Sequence, residues 1–145
     1  VVLAGGISDR ASAEHAFGLG VDGIQVATRF VTTKECDADI RYKEAYIRAN
    51  KEDIQIVKSP VGMPGRAIMN PFMERVMAGE RISPKKCLLC MKGCKTSEIP
   101  YCITESLLHA AKGETDEALL FCGADAWKAE RIETVEEVIG DLLSI

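Results

Sequence analysis

Apolar and polar positions fall into a repeating block pattern over the first thirty residues. Val1-Val2-Leu3-Ala4 is a short apolar run that ends in Gly5-Gly6-Ile7. Gly23-Ile24-Gln25-Val26 is a second such run and ends in Ala27-Thr28-Arg29-Phe30. Between them Ala11, Ala13, Ala16, Phe17 and Leu19 read as one helix, closed by Gly20. The order strand, glycine turn, helix, strand, small-residue turn is one parallel βαβ unit. Ser8 or Asp9 is the expected cap of its helix. Parallel neighbours bring Gly5-Gly6 and Ala27-Thr28 to the same carboxyl edge of the sheet. Backbone N–H groups at such an edge can hold a phosphate, and glycine has no Cβ to keep an anion away. One Gly-Gly pair after a strand is usually only a turn. Two small-residue turns one βα unit apart say more.

The rest of the pattern is mostly helical. Thr32-Thr33-Lys34-Glu35 is a capping pattern ahead of a helix through Ile40 to Ala49, with Tyr42 and Tyr46 one turn apart. Asp53 to Val57 alternates as a short strand, and Ser59-Pro60 and Gly62-Met63-Pro64-Gly65 punctuate a loop. Asn70-Pro71 starts a helix whose stripe is Phe72, Met73, Val76 and Met77, closed by Gly79. Tyr101 to Lys112 predicts another helix, with Ile103, Leu107, Leu108 and Ala111 on one side and Gly113 as its stop. Thr134 and Glu137 form a capping box before Val135, Val138, Ile139, Leu142 and Leu143, which follow the helical rule.

Length and composition narrow the class. The 145 residues suit one ordinary domain, whereas a closed eight-stranded α/β barrel needs roughly 250. Val1 opens in the middle of an apolar run, so the chain is expected to be the C-terminal part of a longer protein. Two strands leave open edges that another chain or a different packing must cover, and a homo-oligomer is the expected assembly. A composition 47% hydrophobic and 28% charged is that of a globular protein, and a net charge of −4 gives no support to nucleic-acid or anionic-membrane binding. No apolar run approaches the roughly 20 residues of a membrane helix. A cytoplasmic location and a small-molecule substrate are expected.

Six cysteines are many for such a chain. Cys87, Cys90, Cys94 and Cys102 have the spacing C-x₂-C-x₃-C-x₇-C. Short spacings let thiolates converge on one ion, and four of them suit tetrahedral zinc or an iron–sulfur cluster. Such a site would be structural, because it leaves no open position. Reduced thiols packed as small hydrophobes are the equal alternative. Cys36 and Cys122 read as isolated, buried thiols.

Four stretches taken together, LAGGISD from Leu3, LGVDGIQVATRF from Leu19, YKEAYIRA from Tyr42 and GMPGRAIMN from Gly62, resemble the nitronate monooxygenase family. That family, once called 2-nitropropane dioxygenases, includes the flavin-type enoyl-acyl-carrier-protein reductases. The match runs in order from Val1 to about Asn70 and less closely from Glu105 to Leu143. The resemblance implies an α/β fold: the C-terminal portion of an FMN-binding (β/α)₈ TIM barrel plus a mostly helical extension. Residues 1–50 would be the last two βα units with the FMN phosphate site. Residues 51–115 would be an inserted helical, Cys-rich segment, and residues 116–145 a C-terminal return whose helix packs on the barrel. Gly5, Gly6, Ala27 and Thr28 would surround the FMN phosphate, and the glycine-containing stretch after Cys122 would lie near the flavin. The family commonly has Gly-Thr-Arg-Phe where this chain has Ala27-Thr28-Arg29-Phe30, which the turn tolerates if φ at Ala27 is negative.

The implied function is that of an FMN-dependent oxidoreductase that oxidises alkyl nitronates with O₂. An FMN-dependent enoyl-ACP reductase using NAD(P)H is the close alternative. A Cys-rich metal-binding interaction module is the alternative of another class. The family's catalytic histidine belongs to earlier strands, so no catalytic residue is assigned, and the chain by itself is expected to be inactive.

Overall fold

A computed structural model describes residues 1–143, so the last two residues of the expected 116–145 segment lie outside the described residues. The described residues form an α/β arrangement. Strands β1 (Val2–Ala4) and β2 (Gly23–Gln25) pair in parallel with Val2 opposite Gly23, Leu3 opposite Ile24 and Ala4 opposite Gln25. Helix α1 (Arg10–Gly18) joins them. Its cap is Asp9, whose Oδ1 accepts the Ser12 N–H at 2.9 Å, while Ser12 Oγ accepts the Asp9 N–H at 3.1 Å. Gly20 takes a φ of +81° and turns the chain back into β2.

After β2 the chain makes one helical turn, α2 (Thr28–Val31), where the pattern predicts only a turn. The capping residues at 32–35 do not start the next helix. Asp39 caps α3 (Ile40–Arg48), accepting the Arg41 N–H at 2.9 Å. Thr33 Oγ1 instead bonds the Phe30 carbonyl at 2.8 Å, and Glu35 accepts the N–H of Val135, a hundred positions away, at 3.0 Å. The residue types are those of a cap, but the cap they serve at long range is that of the last helix. Lys43 is buried in α3 because its ammonium donates to the Thr33 carbonyl at 2.7 Å.

The Gly62–Gly65 loop ends sooner than its punctuation suggests. Strand β3 (Ile54–Val57) pairs antiparallel with β4 (Gly65–Ile68), with Val57 opposite Gly65. Gly65 has no side chain because a Cβ there would stand 2.4 Å from the Phe121 ring. On the other side of β4 the Ile68 N–H donates to the Leu120 carbonyl at 3.0 Å and the Cys122 N–H to the Arg66 carbonyl at 3.0 Å. The apolar run 118–121 therefore lies as a third chain against the hairpin.

Helix α4 (Pro71–Met77) is held at its start by Asn70. Asn70 Oδ1 accepts the Met73 N–H at 2.8 Å, and its Nδ2 donates to the carbonyls of Thr115 and Ala118 at 2.7 Å each. Phe72, Met73 and Val76 are buried with Val57, Ala67, Tyr101 and Leu119, while Met77 is 38% exposed at the edge of the stripe.

Helix α5 (Ile103–Ala111) corrects the expected face. Leu107 and Leu108 are exposed, and the buried positions are Ser106 and Ala110. Close approach explains this: the Leu119 N–H reaches the Ser106 carbonyl at 3.2 Å, and only small side chains fit between the two segments.

Helix α6 (Val135–Leu143) begins with the expected capping box, in which Thr134 N–H donates to Glu137 Oε2 at 2.6 Å and Glu137 N–H to Thr134 Oγ1 at 3.1 Å. Val138 and Leu142 are buried against Ala13 of α1, with Ile24, Val26 and Phe30 alongside. α6 thus covers the outer face of the β1–α1–β2 unit.

Asn70 links a helix start to the 115–118 backbone, so its loss acts on both. Asn70→Ala is expected to lower the unfolding free energy by about 2–3 kcal/mol in urea titration. Asn70→Asp keeps the cap but sets a carboxylate against two carbonyl oxygens, and it is expected to destabilise as well. An unchanged midpoint in both variants would contradict this role.

Candidate functional site

The carboxyl edge of β1 and β2 opens into a cleft of about 190 Å³. Its walls are three stretches: Ala4 to Ser8, Gln25 to Arg29, and Gly123 to Ala126 with Ala129 behind. The first two lie side by side because β1 and β2 are parallel and in register. The third is delivered by the 118–122 segment, which hydrogen-bonds to β4 before it reaches the cleft.

Gly5 and Gly6 have φ of +87° and +70°, the left-handed region that favours glycine. No atom lies within 4 Å of the position a Cβ would occupy on either residue. The backbone of this wall is therefore open to close approach. Ala27 has φ −123°, outside the left-handed region that favours glycine. Thr28 begins α2, and its Oγ1 accepts the Gly123 N–H at 2.9 Å. That bond joins the second wall to the third. A Cβ on residue 123 would stand 3.0 Å from the Thr28 hydroxyl, so glycine is what lets the two meet.

Arg29 faces the same cleft but is occupied elsewhere. Its Nη1 donates to the Ser8 carbonyl at 2.9 Å and lies 3.3 Å from Asp141 Oδ2, and its Nη2 lies 3.0 Å from Glu133 Oε2. One guanidinium thus ties the Gly5–Ser8 turn to α6 and the segment before it. On the opposite side Lys128 Nζ donates to Asp9 Oδ2 at 2.9 Å and to Ser8 Oγ at 3.3 Å. The Lys128 ammonium, with the Ser12 donors, holds the Asp9 carboxyl well below the usual carboxylate range. Asp9 also shields the start of α1, so that helix terminus is already served by an internal carboxylate.

The structure brings Gly5, Gly6, Ala27 and Thr28 together around one cleft. The third wall was legible only loosely, yet it carries the same signature as the other two: an apolar run, here 118–121, ending in small residues. The ties of Arg29 to Glu133 and Asp141 and of Lys128 to Asp9 gave no local signal, because these partners lie far apart in sequence.

The structure does not support the expected cysteine cluster. Cys87, Cys90 and Cys94 are exposed and Cys102 is half-buried. Among the described residues no group of three or more His, Cys, Asp or Glu side chains is placed to hold a metal ion. Cys90 Sγ lies 3.1 Å from Thr104 Oγ1 and is directed at that hydroxyl. Residues 81–90 form neither helix nor strand, and Leu89 has a φ of +51°. Cys36 and Cys122 are half-buried, not buried; burial pushes the Cys122 thiol up to about 11, which keeps it neutral near pH 7.

Comparison with known proteins decides the family. The family model described as nitronate monooxygenase matches residues 1–144. The chain belongs to the nitronate monooxygenase family. Among curated relatives, a probable nitronate monooxygenase of Staphylococcus saprophyticus is 34% identical over 76 residues, 52% of this chain and 21% of the relative. One from Staphylococcus aureus strain Newman is 33% identical over 76 residues. The chain matches about a fifth of the length of these relatives. FabK from Thermotoga maritima superposes with a TM-score of 0.76 at 27% identity, covering 99% of this chain and 43% of FabK. A nitroalkane oxidase from Streptomyces ansochromogenes superposes with a TM-score of 0.68 at 20% identity, over 99% of this chain and 39% of the oxidase, and shares the fold. In this member of the nitronate monooxygenase family no helix among the described residues is long and apolar enough to cross a membrane.

The Asp9–Lys128 contact sets a pH dependence. The Asp9 pKa is lower in the folded chain than in the unfolded one, so its contribution to stability is present above the ordinary carboxylate range. It is lost as pH falls through that range toward the folded value. Asp9→Asn keeps a capping oxygen and removes the charge. Its unfolding midpoint is expected to lie below wild type at pH 7, with the gap narrowing below about pH 4. A gap independent of pH would contradict the ionic origin.

Proposed function

We propose that this chain supplies the phosphate end of the FMN site of an FMN-dependent oxidoreductase, as the last part of a (β/α)₈ barrel. The observation that carries the reading is the convergence of Gly5-Gly6 and Ala27-Thr28 on one cleft at the carboxyl edge of a parallel pair. Ligands of parallel α/β sheets bind at that edge, and barrels hold phosphates in the turns after their last strands. The residues fit the group: two left-handed glycines without Cβ atoms, a small alanine and a threonine all line the space.

Size limits what this cleft does. At about 190 Å³ it is smaller than the roughly 300–1,000 Å³ that enclose a whole drug-sized ligand. It accommodates a phosphate and the start of its sugar chain, and the flavin ring needs walls beyond it. Bound flavin supplies the electron-transfer chemistry; the residues here anchor one end and so orient the ring. Gly5, Gly6, Ala27 and Thr28 present the backbone, Gly123 holds the Thr28 hydroxyl in place, and Arg29 keeps the first turn against α6.

The reaction we propose is oxidation of an alkyl nitronate with O₂, supported by the family and by the names of its curated relatives. The reductase branch, which reduces an enoyl thioester with NAD(P)H, is the second reading, because the same grip would serve both. Oxygen uptake with a nitronate, against NAD(P)H oxidation with an enoyl thioester, separates them.

Gly6→Val tests the site. Valine at a φ of +70° is strained, and its side chain enters the open space beside the turn. The flavin-to-protein ratio of the purified full-length gene product is expected to fall, with FMN affinity weakened at least about tenfold. An unchanged flavin ratio would falsify the placement of the phosphate.

A further inference from the structure

Asp125 lines the cleft, which is an unusual place for a carboxylate beside a bound anion. Its Oδ2 lies 3.1 Å from the Ser8 hydroxyl and 3.7 Å from Lys128 Nζ. The same ammonium reaches Asp9, next to the first wall, at 2.9 Å and Ser8, within that wall, at 3.3 Å. Lys128 is thus a cross-link between the first wall and the loop that forms the third. The Trp127 ring, 6.0 Å from Nζ, adds a further attraction that holds the ammonium near this position. The other cation of the cleft, Arg29, is already bonded to Glu133 and Asp141. Lys128 itself is not among the cleft-lining residues.

A phosphomonoester carries roughly 1.5–2 negative charges near neutral pH. Without Lys128 it would face the carboxylate of Asp125, with that of Asp9 at the same turn. We propose that Lys128 is a positioning residue for the phosphate end of the cleft. It offsets the charge of Asp125 and Asp9 and keeps the Gly5–Ser8 turn at a fixed distance from the 123–128 loop, without touching the ligand. This inference rests on the reading of the cleft as an FMN phosphate site.

FMN and riboflavin differ only in the phosphate, so their dissociation constants measured side by side isolate this end of the ligand. The protein is the full-length gene product stripped of flavin, as wild type, Lys128→Met, Lys128→Arg and Asp125→Asn. Lys128→Met is expected to weaken FMN about five- to tenfold, less at high salt, and to leave riboflavin within about twofold. Lys128→Arg retains the preference for FMN. Asp125→Asn, which removes the opposing charge and keeps the side-chain shape, tightens FMN about two- to threefold, and it decides the matter if Lys128→Met does not fold. Equal weakening of both flavins by Lys128→Met marks a merely structural role and overturns the inference. So does an FMN-to-riboflavin ratio that no variant changes. In both cases the wild-type preference for FMN, and with it the reading of the cleft, stands. A wild type that does not distinguish FMN from riboflavin overturns the phosphate reading itself and this inference with it.

Discussion

The parallel ladder between Val2–Ala4 and Gly23–Gln25 is only three residue pairs long, and the geometry of the cleft depends on it. Parallel direction places both strand ends on one edge; register sets Ala4 opposite Gln25, so the two turns that follow start side by side. A shift of one residue would turn every side chain of β2 to the other face and take Ile24 off α6. Nothing within so short a ladder stabilises it strongly. The ladder is maintained from outside by α1 and α6, through Ala13, Val138 and Leu142, and by the Arg29 contacts to Ser8, Glu133 and Asp141.

Polar side chains then hold three distant segments around the cleft. The Thr28–Gly123 bond, the Arg29 cluster and the Lys128 cluster each connect stretches about a hundred positions apart. Arg29 and Lys128 lie on different sides, so the Gly5–Ser8 turn is gripped from both. Such charged contacts are partly exposed and individually modest, but they act on a turn whose backbone conformation is already restricted to glycine. Rigidity of this kind suits a site that recognises an anion by backbone geometry, since the donors must be in place before the ligand arrives.

Local chemistry was legible in the sequence; pairing at long range was not. The Asn70-Pro71 start and the Thr134–Glu137 box follow from capping residues, because each involves neighbours within one turn, and the βαβ unit follows from two apolar runs joined by one helical stretch. Strand β4 was missed because Pro64 and Gly65 read as loop, whereas its ladder is made with β3 and with the 120–122 segment. The α5 face was misread because hydrophobicity favours Leu107 and Leu108, while the contact itself requires small residues. The same distinction applies to the cysteines: their spacing permits a metal knuckle, but the described residues do not gather three or more ligand side chains. At the cleft, the two small-residue turns were readable and their supporting ions were not.

The most direct test of the account is a crystal structure of the full-length gene product grown with FMN. The account predicts parallel β1 and β2, with the phosphate oxygens about 3 Å from backbone nitrogens of the Gly5-Gly6 and Ala27-Thr28 turns. It also predicts Gly123 still donating to Thr28. A phosphate bound elsewhere, or antiparallel pairing of residues 2–4 with 23–25, would contradict it.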